Sequence, residues 1–323
     1  MKKFVLRTLQ TCGFFACARV MSADRARVLM YHDFCGDGEA DATAVSIQNA
    51  RRQLEYLTRN FRVMPLRDLT EELDSGTGIR NAVALTIDDG RRNFYEFFFP
   101  LLKEFGIPAT FYVVTSFIDG KDWIWTDKVL WLAQQKSTSE ELLPGKINEF
   151  FTLLNRLSPQ LRDQRITDLA ARMKISIPEL PPQRFAPCSW AELREMVQSG
   201  LVEIGSHTLT HAILSSITDD QSWEELTKSR ARIEEQVGQR VYSFCFPNGT
   251  LQDYRPNQIG QIRAAGYSSS VIASFGMLGN GADPYQIQRI GISGKTDALS
   301  FAKYLDGAEY YQQKLFRTLP QKC

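Results

Sequence analysis

Apolar and polar positions along the chain switch repeatedly between two periods. Short apolar runs rich in β-branched and aromatic residues read as strands: "ARVLMYHDF" (26–34), "NAVALTIDDG" (81–90), "PATFYVVT" (108–115) and "VEIGSH" (202–207). "VYSFCFPNG" (241–249), "YSSSVIA" (267–273) and "YQIQRIGIS" (285–293) follow in the same style. Between these runs the apolar spacing changes to three and four. "SIQNARRQLEYLTRNF" (46–61) sets Ile47, Leu54 and Leu57 on one side of a helix, and "NFYEFFFPLLKEFG" ends on Gly106, a helix stop signal. Further helices are expected near 189–199, 219–237 and 256–265. Strands alternating with helices build parallel βαβ units. Seven or so such strands suggest an α/β barrel rather than an open sheet.

Residues 120–185 break this rhythm. "KDWIWTDKVLWLAQQ", "GKINEFFTLLNRLS" and "PQLRDQRITDLAARMK" read as consecutive helices, closed by the proline-rich "IPELPPQRFAP". This stretch is a helical insertion carried by a barrel that spans 26–323. The first 25 residues read as a separate segment. Lys2-Lys3 precedes "FVLRTLQTCGFFACA", where Arg7, Thr8, Gln10 and Thr11 interrupt the apolar run that a cleaved signal needs. A short amphipathic helix able to rest on a membrane face is the favoured expectation, with a cleaved signal second. No apolar stretch approaches the ~20 residues that span a bilayer.

Composition narrows the class further. The 323 residues are 43% apolar and 23% charged, as in soluble globular proteins. The 38 basic and 37 acidic side chains leave a net charge of +1, so no nucleic-acid partner is expected. Cys12, Cys17, Cys35, Cys188, Cys245 and Cys323 form no CxxC pair, which argues against a zinc ribbon or a thioredoxin-like site. Their scatter fits reduced thiols and a cytoplasmic setting, with peripheral membrane contact through the N-terminus and an exported form both left open.

Three positions carry candidate chemistry. His207 and His211 stand four apart in "GSHTLTH", a spacing that on a helical turn offers two imidazoles to one cation. The same spacing also describes an ordinary polar helix face. Their place at the C-terminal end of a strand is where barrel enzymes build sites. Asp88 and Asp89 end another strand. Neighbouring carboxylates repel, and a cation relieves that if one coordinates while the other stays ionised and takes a proton from water. Successive strand residues point in different directions, which suits one ligand and one base. A tight Asp-Gly turn is the competing reading. His32 ends the first strand, either as a hydrogen-bonded loop histidine or as a general acid.

Together these pieces resemble the polysaccharide deacetylase family, the NodB-homology or family 4 carbohydrate esterases. "TIDDG" (86–90) is similar to its first motif, TFDDG. "SHTLTH" (206–211) is similar to the second, and "FCFPNG" (244–249) to the third-motif region. "VLMYHDF", "FFFPLLKEFGIPATFYVVT" and "YQIQRIGI" resemble the subgroup similar to poly-N-acetylglucosamine deacetylases. The resemblance spans about 26–118 and 190–293. It leaves out the insertion and the tail after 294.

The resemblance implies a distorted (β/α)7-type barrel and a divalent cation, zinc first, held by Asp89, His207 and His211. It makes Asp88 the general base and puts the backbone N–H of Asn248 at the oxyanion position, where the common pattern has tyrosine. The family's late histidine is missing, since none follows His211, and His32 takes the acid's place as in the subgroup. Arg289, in "QRIG", is the candidate to steady Asp88. The implied activity is removal of N-acetyl groups from an N-acetylhexosamine-containing poly- or oligosaccharide, so an N-acetylated glycan is the expected partner. A related amide hydrolase acting on peptidoglycan or a small molecule, and an inactive carbohydrate-binding barrel, stay open. A two-histidine, one-carboxylate iron oxygenase is disfavoured, because that chemistry needs no second aspartate. Trp123, Trp125 and Trp131 either stack on sugar rings or form helical core.

Overall fold

The computed structural model describes residues 13–38, 42–76, 78–135 and 146–318. Ten strands are named in chain order: β1 Arg27–Tyr31, β2 Phe34–Cys35, β3 Val45–Ser46, β4 Arg62–Val63 and β5 Ala82–Ile87, then β6 Ala109–Val113, β7 Val202–Ser206, β8 Ser243–Cys245, β9 Ser269–Val271 and β10 Ile290–Gly291. The main sheet runs β10-β1-β5-β6-β7-β8-β9, with β4 added to β5. Its pairings are parallel, as the alternation of strands and helices requires. A parallel bridge from Val271 to Ile287 ties β9 to the stretch that leads into β10. The sheet therefore curls on itself into a distorted barrel of (β/α)7 type.

All six residues of β5 are buried, which explains why "AVALTI" is an unbroken apolar run with a single threonine rather than an alternating one. The helices Ile47–Asn60, Trp190–Gln198, Asp219–Val237 and Pro256–Ala264 flank the sheet. Local chemistry sets their ends. Ser46 Oγ accepts from Asn49 N–H at 3.3 Å, and Gly106 takes φ 63 to stop the helix before it.

Three expectations change. "NFYEFFFPLLKEFG" is not one α-helix, because Phe94–Phe98 forms a π turn before the α-helix Phe99–Phe105. Pro100 has no N–H for the α-helical ladder, and a wider turn absorbs the mismatch. The "VYSFCFPNG" strand shrinks to Ser243–Cys245 because Pro247 cannot donate to a ladder. "YQIQRIGIS" keeps only Ile290–Gly291 as a strand. Before it, Ile287 and Arg289 exchange single bonds with the Ser270–Ser274 stretch.

The insertion holds the helices Trp125–Gln134, Ile147–Asn155 and Pro159–Arg172. Val129, Leu132, Phe150, Leu154, Ile166 and Leu169 form its apolar core, joined by Ile213 from the barrel. At the N-terminus, Phe14–Met21 is helical. Its Phe15 and Ala18 pack against Ala302 and Ala308, while Phe14, Val20 and Met21 face solvent. Lys2, Lys3 and the rest of the expected amphipathic segment before Gly13 lie outside the described residues. Among the described residues no helix is long and apolar enough to cross a membrane, and Cys17, Cys188 and Cys245 are free thiols.

Candidate active site and metal centre

His32, Asp88, Asp89, His207, His211, Asn248 and Arg289 all line one cavity of about 550 Å³. Each lies at or just beyond the C-terminal end of a strand, except Arg289, which immediately precedes β10. Parallel strands bring their C-terminal ends to one rim, so residues distant in the chain converge there.

Asp88 continues the β5 ladder through its N–H to Tyr31 O at 3.0 Å. Asp89 then takes φ 80 and Gly90 φ 89, turning the chain sharply. This turn separates the two carboxylates. Asp88 meets the Arg289 guanidinium in a two-bond fork, with Nη1 donating to Oδ1 at 2.7 Å and Nη2 to Oδ2 at 2.8 Å. Arg289 is itself held by Ile272 O at 3.1 Å and Thr86 Oγ1 at 3.0 Å. Asp89 instead faces the histidines, with Oδ1 3.6 Å from Nε2 of both His207 and His211.

The segment bearing the histidines is not the helical turn expected from their spacing. Thr208 has φ 69 and His211 φ 58, so the chain loops after β7. Glu225, from the helix Asp219–Val237, shapes this loop. Its carboxylate accepts from Leu209 N–H at 2.8 Å, Thr210 N–H at 2.9 Å and Thr210 Oγ1 at 2.7 Å. His207 Nδ1 lies 2.8 Å from Cys245 O, which leaves Nε2 free. Trp125 Nε1 donates to His211 O at 3.3 Å, placing an insertion residue on the cavity wall. Three site residues, Asp89, His211 and Asn248 (φ 61), thus hold left-handed backbone, a conformation that non-glycine residues keep only when their surroundings impose it. Asparagine tolerates that region better than most residues. Asn248 Nδ2 further donates to Asp253 Oδ2 at 2.6 Å.

Two trios of donors approach within 4.8 Å: Asp89, His207 and His211, and also Asp88, His207 and Cys245. The first is the better placed, because both Asp88 oxygens are committed to the Arg289 fork, whereas Asp89 Oδ1 faces the Nε2 atoms of both His207 and His211. Separations of 3.6 Å are long for hydrogen bonds. They suit two ligands of one tetrahedral cation, which with bonds of ~2.0–2.1 Å sit about 3.4 Å apart. The donors Asp89, His207 and His211 therefore fit a divalent cation.

Burial opposes ionisation of Asp88, but Arg289 and then His32 outweigh it and hold the carboxyl below the usual carboxylate range. Burial likewise resists charge on Asp89, and Arg91 with the two histidines pulls it well below that range. Burial, followed by the neighbouring His207, pushes His211 down to about 3, whereas at His207 burial is outweighed by Cys245 and Asp89, which hold its imidazole well above the ordinary range. His32 Nε2 stands 3.7 Å from Asp88 Oδ2 and is 42% exposed, on the open side of the cavity.

Three contributors escaped the sequence reading: Arg91, Asp127 and Glu225, while of the three tryptophans singled out there only Trp125 lines the cavity. Arg91 follows "DDG" directly, and a charged residue beside a motif was a usable signal. Asp127 and Glu225 sit among ordinary polar helix residues and carried none.

A family model described as polysaccharide deacetylase matches residues 75–268, more than half of the chain, and the chain belongs to that family. The fold is similar to several solved structures. One is a Streptococcus pyogenes deacetylase in complex with acetate, at 16% identity and TM-score 0.61, covering 87% of this chain and 98% of that one. Another is IcaB from Ammonifex degensii, at 20% identity and TM-score 0.60, covering 88% and 97%. A third is a de-N-acetylase from Aggregatibacter actinomycetemcomitans, at 20% identity and TM-score 0.61, covering 87% and 100%. No curated protein sequence matches the chain significantly.

Proposed function

We propose that the protein is a metal-dependent hydrolase that removes N-acetyl groups from an N-acetylhexosamine-containing poly- or oligosaccharide. Family membership and the fold likeness to a de-N-acetylase support this reading. The observation that carries it is the divergence of Asp88 and Asp89. Neighbours in the chain, they face an arginine and a pair of histidines, respectively. Two carboxylates with separate partners suit separate jobs, one as base and one as ligand.

Asp89, His207 and His211 would hold the cation, with zinc the first choice for this donor set. When bound, it supplies Lewis-acid polarisation of the acetyl carbonyl and lowers the pKa of a water. Asp88 takes the proton as water attacks the carbonyl carbon. Arg289 keeps Asp88 ionised and aimed, since a fork of two hydrogen bonds fixes both oxygens. The Asn248 N–H donates to the oxygen on which charge develops. His32 delivers a proton to the departing nitrogen, because an amine leaves poorly as an anion. The products are acetate and a free amino sugar.

Purified protein, stripped with a chelator and reloaded with zinc, should release acetate from N-acetylated glucosamine oligomers and lose that activity on stripping. Acetate release unaffected by complete metal removal would overturn the metal dependence. No release from any N-acetylated glycan at full zinc loading would overturn the substrate reading.

A further inference from the structure

Asp127 lies in the first turn of the insertion's first helix and is completely buried. A buried carboxylate needs a partner, and this one has Arg91. Arg91 Nη2 lies 2.5 Å from Asp127 Oδ1, and Nε donates to Oδ2 at 3.1 Å. The same Nη2 stands 3.0 Å from Asp89 Oδ2. One guanidinium therefore bridges a helix of the insertion and an aspartate of the barrel.

The two oxygens of Asp89 are thus divided. Oδ2 is engaged by Arg91, while Oδ1 faces the two imidazoles at 3.6 Å. A carboxylate free to rotate can offer both oxygens to a cation and fill an extra position. With Oδ2 engaged, only Oδ1 is available, and positions stay open for water and substrate, as a catalytic centre requires. Charge works in the same direction. Asp89, Arg91 and Asp127 together carry one net negative charge, which favours a divalent cation. Without Asp127, the guanidinium would neutralise Asp89 alone.

We propose that Asp127 is a positioning residue of the metal centre, acting through Arg91 to keep Asp89 a one-oxygen ligand. The insertion is then part of the metal site's outer support rather than an appendage. This rests on Asp89, His207 and His211 being the ligands.

The test is zinc affinity of the full chain, measured against a chromophoric chelator, with cobalt(II) absorption as a second readout. Asp127→Asn keeps the shape and removes the charge. It should weaken zinc binding about 10–100-fold, the usual effect of losing a ligand's supporting partner, and should change the intensity of the cobalt bands. Leu132→Ala is the control. It loosens the insertion's apolar core without altering the charges around Arg91, so it should lower the melting temperature and leave zinc affinity unchanged. Unchanged zinc affinity in Asp127→Asn, or equal weakening in Leu132→Ala, would overturn the proposal. If Asp127→Asn does not fold, Arg91→Lys replaces it, keeping charge but losing the fork, with the same loss expected and the same result overturning. If His207→Ala and His211→Ala retain full zinc affinity, it is the ligand assignment that fails.

Discussion

Arg289 and Asp88 lie 201 positions apart in the chain, yet they meet in two parallel hydrogen bonds of 2.7 and 2.8 Å at the floor of the cavity. Both are almost wholly buried. Neither would be stable there alone, since a buried unpaired charge costs several kcal/mol. The pair thus fixes the direction of Asp88 and its charge together.

Removing Arg289 should therefore move the pH dependence of activity. With Arg289→Met, burial of Asp88 is opposed only by weaker partners, and its pKa rises. A base acts only when deprotonated, so the loss of kcat/KM on acidification should begin at higher pH than in the unaltered protein. A pH profile measured on zinc-loaded enzyme checks this. An acid limb that stays in place would show that Asp88 does not set it.

The neighbouring aspartates should fail in different ways. Asp88→Asn keeps all three proposed cation donors and loses the proposed base, so zinc content should hold while turnover falls about 10²–10⁴-fold. Asp89→Asn should lose zinc. Elemental analysis alongside acetate release separates the two, and near-normal turnover in Asp88→Asn would rule out its role as base.

Much of this site was legible in the sequence because its parts sit where strands stop. "ALTIDDG" and "VEIGSH" show apolar runs halting at polar clusters, and a parallel barrel gathers such ends on one rim. What stayed hidden depends on backbone conformation and long-range pairing. The HxxxH spacing suggested a helix, but Glu225 accepts the N–H groups of Leu209 and Thr210 and folds the segment as a loop. A four-residue spacing cannot register a carboxylate supplied from fifteen residues further on. Arg289 was found only through its motif, and Asp127 not at all, because ion-pair partners leave no periodic trace.

Gly205 illustrates a constraint at the base of the site. A Cβ there would lie 2.4 Å from the Tyr112 ring, which is buried and bonded through its hydroxyl to Ser243 Oγ at 2.6 Å. The ring cannot swing away without breaking that bond. Gly205→Ala should cost about 1–3 kcal/mol through overpacking, visible as a lower melting temperature of the metal-free protein. Because β7 carries His207 two residues later, zinc binding should weaken as well. An unchanged melting temperature would mean that the strand shifts freely at this point.

His32 offers the sharpest separation of roles. It is the sole histidine outside the proposed cation donors, and its Nε2 stands 3.7 Å from Asp88 Oδ2 across the cavity. Its exposure, against the burial of Asp88, sets it on the open side of the cavity, where the proposed reaction would release its amine leaving group. If His32 protonates that group, its loss should matter in proportion to how poorly the group leaves. His32→Ala should keep its fold and zinc, yet lose about 10²–10⁴ in kcat on an N-acetylated amino sugar. On a nitrophenyl acetate ester, whose phenolate departs without a proton, the same variant should lose far less. Both rates can be read on one enzyme preparation, so differences in folding or metal loading cancel. Equal losses on the two substrates would make His32 a binding or positioning residue, and the proton would have to come from elsewhere.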